Sequence, residues 1–414
     1  MYRVARRPSS RLIALLPEDE FPPGLEELQR NLSRACLPVT LTQNATGSRI
    51  RWQLQEPGGT RAFDVEVGLT ESLPPFLEPA GGRSASFVSV SCKVGSRVLD
   101  SLHTQLRLLA ALAPNAVAML DLNAFRTRTG DWLRDAASAS VAPAPTSFFT
   151  VHSVIDDRRN AWLHTHGLHR MGCIELDIVG VRHRDECALG ELINNVAKLF
   201  LDRGVPPPNT RFHAGNDFPL VWLPWEAGLQ QVGASPGGLA DRDAAHGGER
   251  GILFAPEKHG SERLESPRRY VRPIEADPVF YLSSAETERM QKLARERLPS
   301  FLSLQSRFAK DQKWEFHVKL GLPTDDNAEG HTCNGVEHLW FDVESATNKS
   351  VDGTLLNRPF RIARLRQGQR GRFDLKLLTD WTIQSPRGHY TPESVLQLER
   401  GLANDGVSAR SLLH

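Results

Sequence analysis

Three histidines fall within six residues in the stretch "NAWLHTHGLHRMGCIEL": His164, His166 and His169. Neutral imidazole is a common zinc ligand. On a strand, His164 and His166 project from one face, because side chains alternate with a period of two. His169 follows Gly167, where the chain can turn. Imidazoles from one short segment, joined by a distant carboxylate, could hold zinc and activate a water for hydrolysis. The structural alternative places Trp162, His164 and His166 along one sheet face, with the rings hydrogen-bonded to backbone or to Glu175. The sequence favours this alternative, since no later segment completes a recognisable ligand set.

Other chemistry has less to stand on. His331, Cys333 and His338, with Glu337, make a second cluster that begins in a polar turn. The zincin H-E-x-x-H, the G-x-S-x-G elbow, the Walker loop and the strand–G-x-G-x-x-G–helix unit are all missing. The adjacent pairs Asp156–Asp157 and Asp325–Asp326 suit turns and surface better than acid–base work. Cys36, Cys92, Cys173, Cys187 and Cys333 are scattered, and none forms a C-x-x-C pair. They read as reduced thiols, mostly buried, in a cytoplasmic protein. No cofactor is expected, with zinc the one candidate.

Composition narrows the partners. The chain has 414 residues, with 50 Lys plus Arg against 49 Asp plus Glu, a net charge of +1. No global field attracts nucleic acid or an anionic membrane. Arg268, Arg269 and Arg272 read as a solvated tether, so nucleic acid is not an expected partner. Apolar runs such as Leu106–Ala113 are far shorter than the roughly 20 residues that span a bilayer. The apolar run Leu12–Leu16 is too short for a signal peptide and reads as a first strand.

The elements that position these residues alternate between strand and helix. Leu25, Leu28, Leu32 and Cys36 recur at helical spacing. Val39–Thr42 is a strand. Ile50, Trp52 and Leu54, then Phe63, Val65 and Val67, predict a hairpin turning at Pro57, Gly58 and Gly59. Ser86–Cys92 predicts another strand. Leu99, Leu102, Leu106 and Leu109 mark a helix that Pro114 stops, and Ala116–Leu120 returns as a strand. Strands flank the histidine stretch on both sides. A strongly amphipathic helix follows Asp185, capped by that residue and ended by Gly204. Val221–Leu229 is expected to pack on the sheet. Ser283 and Glu286 fit a capping box for the next helix, and Pro299 breaks it. A compact β region ends the chain, with strands at "WEFHVKLGL", "EHLWFDVES", "RIARLRQG" and "GRFDLKLLTDWTI" and turns at Gly353, Gly368 and Gly371. Trp340 and Trp381 read as its core.

The expected fold class is α+β. Residues 1–232 form a mixed α/β-sandwich-type region, with a subdomain boundary near 137–147. A loop-rich connector covers 233–275. A helix and a small β-rich domain, a bent sheet or SH3-like barrel, cover 276–400, and 401–414 is a tail.

Two ordered sets of residues carry a resemblance. Leu293–Phe301, Glu337–Trp340 (with His338), Gly353, Leu355, Asn357, Pro359, Gly368 and Asp380–Trp381 follow one another in the pattern of a bacterial domain-of-unknown-function family, over roughly Ser283 to Ile383. Trp162–Leu168, Gly172 and Glu175–Leu176 are similar to another such family. The His164-x-His166 spacing also partly resembles metallo-β-lactamase-type hydrolases, although Leu168 stands at that family's aspartate position. The common core of the second family resemblance is Thr165, Gly167 and Leu168. It points to a backbone requirement at the turn rather than to the imidazoles. Related runs occur in bacterial α+β domains that include relatives of the Suppressor-of-fused fold, often encoded beside toxins. The resemblance therefore implies a non-catalytic protein-binding module, a toxin-immunity protein acting by occlusion, whose partner is a protein and not a membrane. The alternative is a metal-dependent hydrolase using His164, His166 and His169. The families supply no catalytic residue to carry over.

Overall fold

The computed structural model describes all residues except 6, 18–19, 21, 36–39, 47–48, 56–61, 71–84, 233–235, 244–245, 258–262, 277–279, 281–282, 326–334 and 412–414. Two compact units emerge: residues 1–137 with 144–283, and residues 138–143 with 284–414.

The first unit opens with β1 (Ser10–Leu15), α1 (Leu25–Arg34), β2 (Thr40–Thr46), β3 (Arg49–Gln55), β4 (Ala62–Thr70), β5 (Ala85–Cys92), α2 (Val98–Leu112), β6 (Ala118–Asp121), β7 (Arg126–Thr129) and α3 (Gly130–Ser138). The strands form one antiparallel sheet in the order β2-β3-β4-β5-β1-β6-β7. The expected hairpin is β3–β4, with Trp52 opposite Val65; its glycine turn and Cys36 lie outside the described residues. Leu12, Ala14, Phe63, Val65, Val88 and Val90 point to one side, where the α2 stripe Leu102, Leu106 and Leu109 meets them. Period two in the sheet and period 3.6 in the helix put the same residue types on facing surfaces.

A second sheet follows, built from β8 (Thr150–Ile155), β9 (Asn160–His166), β10 (Glu175–Arg182), then α4 (Glu186–Arg203), β11 (Phe212–His213), β12 (Pro219–Pro224), α5 (Trp225–Leu229), β13 (Arg250–Pro256), β14 (Leu264–Glu265) and α6 (Val271–Ala276). Its order is β11-β12-β13-β10-β9-β8, with β14 on β13. The residues expected as a connector thus contribute β13, which is buried along its whole length. Leu189, Leu192, Ile193, Val196 and Phe200 of α4 pack on one face. Asp185 precedes α4 but makes no side-chain cap. Its carboxylate instead takes the Arg268 guanidinium at 2.9 Å. The expected arginine tether is likewise tied down, with Arg269 donating to the Pro256 carbonyl.

The second unit contains α7 (Ser284–Glu296), α8 (Leu298–Phe308), β15 (Glu315–Pro323), β16 (Val336–Ala346), β17 (Ser350–Leu355), β18 (Arg370–Asp374), β19 (Leu378–Ser385), β20 (Gly388–Tyr390) and α9 (Val395–Ser411). Its six strands form an open antiparallel sheet, β18-β17-β16-β15-β19-β20, rather than a barrel. Pro299 sits in the first turn of α8, where a missing N–H costs nothing, so the helix restarts there. The expected strand at 361–368 is absent: the Glu337 carboxylate accepts from the Phe360 and Arg361 amides and Asp325 accepts from Ala363, holding a looped segment. β17 supplies the ladder instead. Gly353 is inside that strand, not at a turn, because a Cβ there would meet the Asp342 carbonyl at 2.3 Å. Of the segment expected as a tail, residues 401–411 are part of α9.

Candidate functional site

The β8–β9 hairpin turns at Asp156–Arg159. Its carboxylate, Asp156, accepts from the Arg158 and Asn160 amides at 2.9 and 2.7 Å, and Arg159 takes a positive φ of 61°. This tight turn sets the register. His152 lies opposite His164, and Asp177 of β10 lies opposite His164 on the other side. Period two adds Trp162 and His166 to the same face. Beyond β10, the parallel pairing of β13 puts Arg250 beside Glu175.

His152, His164 and His166 each offer a ring nitrogen, and these atoms lie within 4.8 Å of one another. His164 and His166 are 1% and 4% exposed. Trp162 stacks on His164 at 4.0 Å, and Phe125, held at a positive φ of 48°, meets His166 edge-on at 4.5 Å. Both ring nitrogens of His164 are buried without a hydrogen-bond partner. Such orphans are rare in folded proteins and demand a reason. Burial, then the Arg250 charge, pushes His164 down to about 3 and His166 to about 2. His152 is lowered too, by burial first and Arg126 second. All three rings are therefore neutral at ordinary pH, the form in which imidazole binds metals.

His169, expected as the third ligand, is not in this group. Its Nε2 meets the Glu249 carbonyl at 2.7 Å, and its amide donates to Glu175. The reason is local geometry: after Gly167, at φ +109°, the chain turns away from the strand. A Cβ on Gly167 would meet the Phe148 carbonyl at 2.6 Å.

The acids near the histidines have other work. Glu175 accepts from Thr165 Oγ1 at 2.7 Å and from the Gly167 amide at 2.8 Å, while Thr165 Oγ1 accepts from the Leu176 amide. Leu168 is fully buried. The Thr165, Gly167, Leu168 and Glu175 pattern is thus a turn clasp, with backbone amides satisfied inside the core. Asp177 is also fully buried. It accepts from Trp162 Nε1 at 3.1 Å, Arg250 Nη2 at 2.9 Å and Arg242 Nη1 at 2.7 Å. Burial raises its carboxyl, but Arg250 and then Arg242 outweigh burial and hold it below the usual range. The Arg242 guanidinium lies 4.8 Å over Trp162 and 5.4 Å from the Trp225 ring. A second buried pair, Arg170 with Asp121, joins the 169–171 turn to β6 at 2.5 Å, and Arg170 also donates to the Phe148 carbonyl.

Sequence reasoning missed His152, Asp177, Arg242, His246 and Arg250. His152 had a signal: a tight turn at "DDRR" fixes the pairing that sets it against His164.

In the second unit the motif residues hold the fold together. Glu337 clasps residues 360 and 361. His338 Nδ1 is 3.3 Å from Thr379 Oγ1. The Trp340 amide donates to Asn357 Oδ1 at 2.8 Å. Trp381 is core, donating through Nε1 to the Ala294 carbonyl. Trp340 is not: it sits half-buried on the opposite face, 5.4 Å from the Lys319 ammonium. Asp380 accepts from the Trp381 amide, and burial lifts its carboxyl to about 6. His331 and Cys333 lie outside the described residues. Cys92 and Cys173 are buried, with the Cys173 thiol pushed up to about 12 by burial. Cys187, expected to be buried, is exposed. Among the described residues, no helix is long and apolar enough to cross a membrane.

No curated protein and no solved structure matches the chain. Three family models do match segments of it. Residues 80–143 match "Protein of unknown function (DUF4026) N-terminal", and residues 151–254, which hold all the histidines of the cluster, match "Protein of unknown function (DUF4026) C-terminal". Residues 291–406, covering most of the second unit, match "Uncharacterized protein conserved in bacteria (DUF2314)", so the chain joins segments similar to two bacterial domain-of-unknown-function families.

Proposed function

We propose that the first unit is a metal-binding domain, with zinc as the leading metal and His152, His164 and His166 as ligands. One observation carries this reading: His164 buries both ring nitrogens with no partner, inside a trio of neutral imidazoles. Leaving such atoms unpaired costs about 1–3 kcal/mol, which a bound metal recovers. Tetrahedral zinc with Zn–N bonds near 2.05 Å needs ligand nitrogens about 3.3 Å apart. The trio lies within 4.8 Å, so ring rotations and shifts of roughly 1.5 Å or less complete it. Asp177 and Glu175 offset the charges of Arg242 and Arg250, while Arg126 adds a positive charge near His152.

Three imidazoles leave one position of a tetrahedron for another ligand or for a water, and a water there is how such a site serves hydrolysis. Metal analysis of the purified full chain tests the reading. The expected result is stoichiometric zinc, lost in His164→Ala and in His152→Ala. A metal-free wild type that also fails to take up added Zn²⁺ would overturn it and leave the rings as an aromatic stack.

Protein binding, which the family resemblance implies, is a second reading with its own observation. β8 is the last strand of its sheet, and Val154 and Ile155 on it are 44% and 46% exposed. An edge of that kind accepts an added strand from a partner.

A further inference from the structure

We infer that His246 is the fourth protein ligand of the proposed metal centre. This rests on the metal reading above and specifies its coordination. Within the trio, ring centroids are 4.9 Å (His164–His166), 5.0 Å (His152–His166) and 5.6 Å (His152–His164) apart. The His246 ring is 4.9 Å from His164 and 5.1 Å from His166. Four imidazoles on one tetrahedral zinc, each centroid about 3.2 Å from the metal, would be spaced by roughly 5 Å. His246 thus lies at trio-like distances from two of the three rings, His164 and His166, though it comes from a segment 80 residues downstream of His166.

The ring chemistry fits as well. His246 Nδ1 meets Asp243 Oδ1 at 2.7 Å. A carboxylate on Nδ1 fixes that nitrogen as the donor and leaves the lone pair on Nε2, the arrangement by which metal-bound histidines are oriented.

The segment is held at both ends. Near its start, Arg242 donates to Asp177 and to the Gly237 carbonyl, each at 2.7 Å. Gly237, at φ +91°, lies so close that a Cβ would meet the Trp162 ring at 2.6 Å. At its end, the Glu249 carbonyl meets His169 Nε2. His169 is therefore a positioning residue: it anchors the segment that carries the fourth ring. Four protein ligands make a closed tetrahedron, the signature of a structural site rather than a hydrolytic one.

The test uses the full chain, freed of metal by chelation. Zn²⁺ is titrated in competition with a chromophoric chelator, and X-ray absorption at the zinc edge counts imidazoles. The expected result is four imidazoles in the wild type. His246→Ala should show three plus an oxygen and bind Zn²⁺ more weakly. Asp243→Asn should weaken binding by about 10–100-fold, the usual effect of losing a ligand's carboxylate partner, and it guards against a His246→Ala variant that fails to fold. Three imidazoles and an oxygen in the wild type, or unchanged affinity in both variants, would overturn this inference while leaving the trio intact. A wild type that binds no Zn²⁺ would overturn both readings.

Discussion

Acidification should destabilise the first unit. The perturbation is a fall from pH 7.5 to 5.5 in chelator-treated protein. In the unfolded chain a histidine titrates near 6.5, whereas in the fold His164 sits at about 3 and His166 at about 2. Folded values are depressed, so the unfolded chain binds more protons below pH 6.5. The stability that the neutral rings represent is complete above that value and falls as pH drops through it. At pH 5.5 each ring costs about 1.4 kcal/mol, from the protonation of roughly ten unfolded molecules in eleven. The two together cost up to about 3 kcal/mol, with His152 acting in the same direction. The assay is urea unfolding read by pulsed hydrogen exchange on peptides covering residues 160–182, which reports this unit rather than the whole chain. A His164→Phe/His166→Phe variant provides the reference, and its own pH slope should be smaller by that amount. Equal slopes in the two proteins, or ring proton resonances of His164 and His166 that titrate near 6.5, would refute the reasoning.

The remaining predictions concern the charge network and the sheet edge. Asp177→Asn keeps the shape but strands two buried guanidiniums, so it should cost about 3–5 kcal/mol in the same exchange assay; a loss below about 1 kcal/mol would mean that Arg242 and Arg250 find other partners. If the β8 edge seats a protein, a pull-down with the neighbouring gene product should retain a partner that Val154→Lys releases without loss of fold, and retention by the variant would remove the edge from consideration.

Much of this architecture is legible in the residues, and the exceptions have physical causes. α4 stands out because Leu189, Leu192, Ile193, Val196 and Phe200 repeat at helical spacing and end at Gly204. β7, "RTRT", does not, because its side chains are partly exposed and carry no apolar alternation. β17 was hidden by Gly353, an interior glycine that reads as a turn until the Asp342 carbonyl is seen where its Cβ would be. Segment 233–249 reads as a linker because it is polar and rich in glycine. Its arginine and histidine are nonetheless largely buried, paired with an aspartate 65 residues away or packed edge-on against the β9 rings. The candidate site shows the same divide. His164 and His166 follow from strand periodicity alone. His152 needs a hairpin register, and His246 needs a tertiary contact that no local pattern encodes. The glycine and threonine of the "THGL" core explain the turn, and they left the imidazoles without an assigned role until the facing residues were known.

β13 has one further consequence, for the order in which the chain assembles. It is the strand that joins β10 on one side to β12 on the other, parallel to the first and antiparallel to the second. Arg250 must cross 73 residues to reach Asp177, and closing a loop of that length costs about 4 kcal/mol before any contact repays it. Hairpins β8–β9 and β9–β10 can form early from local pairing, whereas β13 enters late. Until it does, Asp177 is without Arg250, and the segment that carries His246 lacks the strand that fixes its far end. During synthesis the histidine trio therefore leaves the ribosome and pairs into its sheet well before the residues that cover it arrive. If the unit binds metal as proposed, metal captured before β13 pairs would guide that last strand into place.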